Sequence, residues 1–475
     1  MITIPPNQGA KVVALATSIA FLSITGCSTS NIVSSDEAKS SVEAVTVDNT
    51  ITLAQVTQDV TFLASDELRG RSNFTNDINI AADFIAKRFK DVGLTPAQET
   101  ENFKQHYTVE RIVPNTLNVT INGQTIAKEN LSIATTYETL NWQNDKTAVV
   151  NTVIIGKNDN MRKALQTLNN QGGNHLVLLH SKHQASFKRY QSYFARGLTK
   201  LINKEKHTTG GAIVFALSDI KKIAQFSVKA QAKVSKTTLS NVVGILPGKS
   251  KADEVVLYSA HYDHLGVKPS PDGNETNSSE IYNGADDNAS GVSAVIHLAN
   301  YFAKKANNER TLMFATFSAE EIGGFGSRYF SNQVNPDDIT AMINIEMIGK
   351  PAIFGEGTVW MTGMERSTLG EQLNQALAPQ NLKVYADPYP TQNLFYRSDN
   401  ATLARLGVPA HSFSSTQLDK DQHYHQVSDD INSLHLPSML QVIKMLATAT
   451  TPLVNGSITP SRIDVNNVKR TGLIY

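Results

Sequence analysis

Apolar residues along this chain change their spacing twice. From Thr52 onward, Val56, Val60, Leu63 and Ala64 recur at i, i+4, i+7 and i+8, the stripe of an amphipathic helix. A second helix is predicted from about Ile78 to Val92. It carries Ile80, Phe84, Ile85, Phe89 and Val92 on one side, with Gly93 placed to stop it. Between about Gln105 and Leu239 the pattern turns to short strand-like runs separated by polar loops. These are Leu117 to Ile121, Ala148 to Ile155, Leu176 to Leu179 and Ala212 to Ala216. From Ser240 onward, runs typical of buried strands alternate with helical stretches. The strands are Val255 to Ala260, Leu312 to Phe317, Ala341 to Ile345, Val359 to Met361 and Val408 to Phe413. The clearest helix runs from Ala289 to Ala306, with Val292, Val295, Ala299, Phe302 and Ala303 periodic.

Such alternation predicts an α/β fold: a mixed, mostly parallel central sheet with helices on both faces. The stretch 105–239 is expected to be an inserted, smaller α/β or β-rich domain. The expected division is a leader at 1–27, a flexible tether at 28–50, a domain built from 51–104 and 240–456, and a tail at 457–475. A chain of 475 residues is long enough for this arrangement.

Charge narrows the function classes. Lys+Arg and Asp+Glu are 43 each, so no basic excess points to nucleic acid. Locally, Lys182 to Lys206 gathers Lys and Arg among Tyr and Phe. A solvated helix face with its apolar side packed explains it more simply than an anionic partner. Cys27 is the sole cysteine, which excludes an intramolecular disulfide. It follows Lys11 and an apolar run from Val12 to Ile24, too short for a permanent span. Ile24-Thr25-Gly26-Cys27 resembles the lipobox of bacterial lipoproteins. That resemblance implies cleavage before Cys27, its lipidation, and a protein anchored at the bacterial cell envelope, on the outer membrane facing the periplasm. Simple secretion is the alternative.

The candidate chemistry lies in five motifs. They are His261-Tyr262-Asp263, Gly284-Ala285-Asp286-Asp287, Ala319-Glu320-Glu321, Asn344-Ile345-Glu346 and Tyr424-His425. Together they supply imidazoles and carboxylates of the kind that hold neighbouring zinc ions. All but Asp287 fall at or just beyond the C-terminal end of a predicted strand, where open α/β sheets bind ligands. The residues alone do not separate Asp286 from Asp287.

These motifs resemble the co-catalytic di-zinc aminopeptidases of the MH clan of metallopeptidases. The similarity covers Phe62 to Arg71 and the helix after it, and resumes from Asn241 to about Leu434. Many relatives carry a protease-associated domain between those stretches, and 105–239 does not match it. The resemblance implies two zinc ions, one held by His261 and Glu346, the other by Glu321 and His425, with Asp287 bridging. It implies Glu320 as general base and Asp263 as the acceptor that orients His261. Many relatives have aspartate where Glu346 stands. His264 and His423 are read as bystanders. A tyrosine that polarises the substrate carbonyl is expected near Ser398-Asp399, and Tyr396 is the candidate. The implied activity is release of N-terminal residues from peptides. A single-zinc enzyme like glutaminyl cyclase and a non-catalytic binding module are the alternatives. Cobalt or manganese could occupy the same ligands.

Overall fold

The structure, a computed structural model, describes residues 45–98, 100–144, 149–202, 210–268 and 280–468. The expected leader with Cys27, residues 28–44 of the expected tether and residues 469–475 of the tail lie outside the described residues. Among the described residues no helix is long and apolar enough to cross a membrane.

The main sheet contains β1 (Lys104–Ile121), β2 (Phe226–Leu246), β3 (Lys251–His261), β4 (Arg310–Phe317), β5 (Ile339–Ile345), β6 (Val359–Met361), β7 (Val384–Ala386) and β8 (Ala410–Ser414). Their spatial order is β7-β6-β8-β5-β3-β4-β2-β1. The centre, β8-β5-β3-β4, is parallel, and β2 and β1 join antiparallel at one side. Alternation along β3 explains why both faces are covered. Val256, Tyr258 and Ala260 pack with helices α1 (Leu53–Leu63), α2 (Asp77–Val92), α3 (Gly291–Lys305) and α5 (Leu436–Val454). Val255 and Leu257 point the other way, into a cluster with Phe330 and Leu403. Phe330 sits on α4 (Phe325–Ser331). Side chains that alternate with period two therefore feed two cores. Helix ends follow their sequence signals: the Thr52 hydroxyl accepts from the Gln55 amide, and Gly93 closes α2 at a φ of 90°.

The inserted segment folds as a four-stranded sheet in the order 131–135, 212–217, 174–179, 151–155. Helices Met161–Gln171 and Gln184–Ala195 bury their apolar sides against it. In the second helix Phe187 and Phe194 are buried, so the described part of the Lys182 to Lys206 stretch packs as an ordinary amphipathic element.

Several expected boundaries move. The short strand at Leu117 to Ile121 is only the end of an 18-residue strand. β2 runs through Leu239 without a break, and β1 runs through Gln105. Cuts at 105 and 239 therefore fall inside paired strands, with Leu239 opposite Tyr107. Polar residues on the outward face of this ribbon masked its length. The tether ends early, because Val47–Thr50 form a helical turn with Thr50 buried. The tail is not loose up to 468: Ile463 joins a core, and Arg310 donates to the Ile458 carbonyl.

Candidate metal centre

Main-chain geometry puts the acidic and histidine motifs into one cluster. His261 ends β3, opposite Phe317 at the end of β4, so Glu320 and Glu321 emerge beside it. Glu346 follows β5 directly. Asp287 lies in the turn that leads into α3. Gly284 opens that turn at a φ of 59°, and a Cβ there would collide with the Asp287 carbonyl and the His264 ring. Arg71 ties the turn to the loop after β3. It is fully buried and donates to the carbonyls of Tyr262 (2.8 Å), Asn283 (2.6 Å), Gly284 (2.8 Å) and Leu63. Burial lowers its pKa to about 10, which still leaves it charged at neutral pH. Hydrogen bonds from a charged donor stabilise by about 1.5–3 kcal/mol each, so this one side chain holds much of the site's frame.

Two groups of ligand atoms share one carboxylate. His261 Nε2 is 2.9 Å from Glu346 Oε1 and 3.2 Å from Asp287 Oδ1. His425 Nε2 is 3.3 Å from Asp287 Oδ2 and 3.3 Å from Glu321 Oε2. The two oxygens of Asp287 thus face different groups. Asp286 points away, accepting from the Gly349 amide (2.7 Å) and the Thr416 hydroxyl (2.8 Å). Ser398 donates to the remaining oxygen of Glu346 at 2.5 Å and fixes its rotamer. His261, Asp287 and Glu346 place one ligand atom each within 4.8 Å of one another, and so do His264, Asp287 and Glu321. Imidazole and carboxylate donors in two such groups, converging on a shared aspartate, fit a pair of zinc ions.

Electrostatics reflect the crowding of carboxylates around these histidines. Burial alone would lower the pKa of His425, but its hydrogen bonds to Asp287 and Glu321 overbalance that and raise it to about 10. His261 is raised well above its usual value, because Glu346, Asp263 and Asp287 outweigh its burial. Glu320 lines the cavity beside these groups. Burial, with Glu346, Asp399 and Glu321 nearby, holds its carboxyl well above the usual range, although His261 opposes this.

Some expected roles change. Asp263 does more than orient His261. The His261 Nδ1 lies 3.1 Å from the Asp263 backbone carbonyl and 3.6 Å from its carboxylate. The carboxylate accepts from the amides of Glu320 (3.1 Å) and Glu321 (3.2 Å) and from Asn73 Nδ2 (2.7 Å). Asp263 therefore sets the main chain that carries both glutamates. His264 is no bystander: its buried Nδ1 is 2.8 Å from Glu321 Oε1. Its position three residues after His261 was the available signal. His423 stays outside the cluster, with Nδ1 2.9 Å from the Ser428 carbonyl. Tyr396 is not in the cavity wall, and its hydroxyl donates to the Asn467 carbonyl at 3.4 Å. Tyr424 lines the cavity instead, with its ring stacked on His425 at 3.9 Å.

Comparison with known proteins bears directly on this arrangement. Residues 241–450, which span every cluster residue named above except Arg71 and Asn73, match the family model described as peptidase family M28. That stretch is similar to peptidase family M28. A probable leucine aminopeptidase of Trichophyton verrucosum is 27% identical over 242 residues, covering 48% of this chain and 62% of that protein. One from Arthroderma benhamiae is 27% identical over 213 residues, covering 43% of this chain and 54% of its own. The chain thus spans less than two thirds of the length of these relatives. The likeness of fold extends further. An aminopeptidase from Aneurinibacillus sp. strain AM-1 superposes with a TM-score of 0.51 at 15% identity, covering 89% of this chain and 97% of that one.

Proposed function

We propose that this protein is a zinc-dependent aminopeptidase that removes N-terminal residues from peptides. The single observation that carries the reading is the placement of Asp287, whose two oxygens face two separate histidine–carboxylate groups. In this reading one zinc ion would be held by His261, Asp287 and Glu346, and a second by Asp287, Glu321 and His425. Zinc bound there would supply an acidified water and polarise the scissile carbonyl. Glu320 would act as the general base for the attacking water and as the acid for the leaving amine. Its place in the cavity wall, unbonded to the histidines of either group, suits both halves of that task. Asp263 keeps Glu320 and Glu321 in register through their amides, and His264 holds one oxygen of Glu321 while leaving the other facing His425. The cavity of about 220 Å³ has Met347, Trp360, Leu394 and Leu418 in its wall, which suits an apolar first residue. The leucine aminopeptidase names of the relatives agree with such a preference.

Metal analysis of the purified protein, with hydrolysis of leucine p-nitroanilide before and after chelation, tests this. About two zinc equivalents and loss of activity on chelation are expected. One equivalent without hydrolysis of this substrate would instead support a single-zinc enzyme like glutaminyl cyclase. Metal-free protein that cannot be reconstituted would support a binding module.

We propose further that the chain is held at the bacterial envelope by lipid on Cys27. The support is the sequence Ile24-Thr25-Gly26-Cys27 after an apolar run, and the absence of any other cysteine. Stable anchoring needs more than one acyl chain, which a diacylated and N-acylated cysteine provides. Cys27→Ser should move the protein from the membrane fraction to the soluble fraction; retention in membranes would rule out this anchor.

A further inference from the structure

Arg397 is a cation without a partner in a cavity dominated by carboxylates. Among the described residues its guanidinium makes no hydrogen bond or ion pair with the protein. Two buried arginines of this chain are used up internally. Arg71 binds four carbonyls, and Arg310 binds Glu254, two carbonyls and Thr459. Arg397 is the one Lys or Arg in the described cavity wall, which also holds Asp287, Glu320, Glu321 and Glu346. Those acids are engaged by His261, His264, His425 and Ser398 or lie out of its reach, so none captures it.

Burial gives the cavity a direction. Trp360 and Met347 are buried and give it an apolar inner wall. Arg397 and Gln392 are exposed and form its mouth. Arg397 shares the cavity wall with Tyr424 and His425. A substrate whose first side chain packs against that inner wall extends its second residue toward this mouth. A fixed planar donor fork without an internal partner is suited to a carboxylate there.

We infer that Arg397 binds a carboxylate of the substrate just beyond the scissile bond, which makes short or acidic peptides the preferred substrate class. The carboxylate is either the C-terminal one of a dipeptide or the side chain of an acidic second residue. The inference rests on the aminopeptidase reading given above.

Kinetics of the zinc-loaded wild type, Arg397→Gln and Arg397→Lys on Leu-Ala, Leu-Ala-amide and Leu-Glu-amide test it. The wild type should favour the carboxylate-bearing substrates over Leu-Ala-amide. In Arg397→Gln that preference should fall by about tenfold or more, with the change in KM, and Arg397→Lys should restore part of it. A fall confined to Leu-Ala identifies the C-terminal carboxylate, and one confined to Leu-Glu-amide identifies the side chain. No preference in the wild type, or an equal loss of kcat/KM on all three substrates in Arg397→Gln, would overturn the inference. Failure of the wild type to cleave any of them would overturn the aminopeptidase reading itself, and this inference with it.

Discussion

Glu320→Gln is expected to keep metal content and melting temperature while lowering kcat by a factor of about 10²–10⁴. Glutamine keeps the size of the side chain and leaves the main-chain amide free to donate to Asp263. It removes the one cavity-lining carboxyl that makes no bond to a histidine in either ligand group. The substitution therefore separates proton transfer from metal binding. It should also relieve rather than impose strain, since a buried carboxyl crowded by Glu346, Asp399 and Glu321 is costly to ionise. Elemental analysis and thermal melts, run alongside leucine p-nitroanilide kinetics, give the three readouts. Turnover within tenfold of wild type would remove Glu320 from the base role.

Asp287→Asn should have the larger structural effect. The aspartate meets His261 through one oxygen and His425 through the other, so each group loses a charged donor at once. An amide offers a neutral oxygen to one side and an N–H to the other, and an N–H cannot ligate a cation. Metal content is expected to drop from two equivalents to one or fewer, and activity by about 10³-fold or more. The backbone should hold, because the Asp287 amide donates to Asp429 and Arg71 grips the adjoining turn without using the Asp287 side chain. Two equivalents retained in this variant would show that Asp287 does not bridge.

Much of this site is legible in the sequence because strand ends are legible. Val255 to Ala260 and Leu312 to Phe317 are continuous apolar runs, so the residues that follow them, His261 and Glu320-Glu321, can be placed at one sheet edge. Asp287 could be told from Asp286 only in three dimensions. The choice depends on a turn whose shape is set by contacts to Arg71, Asp429 and Gly349, all distant in the chain. His264 and Tyr424 escaped for a similar reason, since their side chains reach the site through loops without periodicity. The carboxylate of Asp263 lies beside the His261 ring, and two amides 57 and 58 residues away, invisible in the sequence, also donate to it. Of the fold, the β1–β2 ribbon was least visible. Its alternation is diluted by Lys, Thr and Ser on the outward face, as suits a strand pair with one side in water.

That ribbon has a practical consequence for modularity. The smaller domain is not hung on a hinge but grows out of two strands of the main sheet, one of which, β2, lies against β4. Excision at 105 and 239 would leave Val242 to Leu246 on β4 but cut β2 in mid-strand and take away the partners of Ser240 and Asn241, exposing a raw edge. The natural graft point is the far end of the ribbon, where Ile121 faces Phe226. Exchange of the smaller domain between relatives should be made there, with both long strands retained.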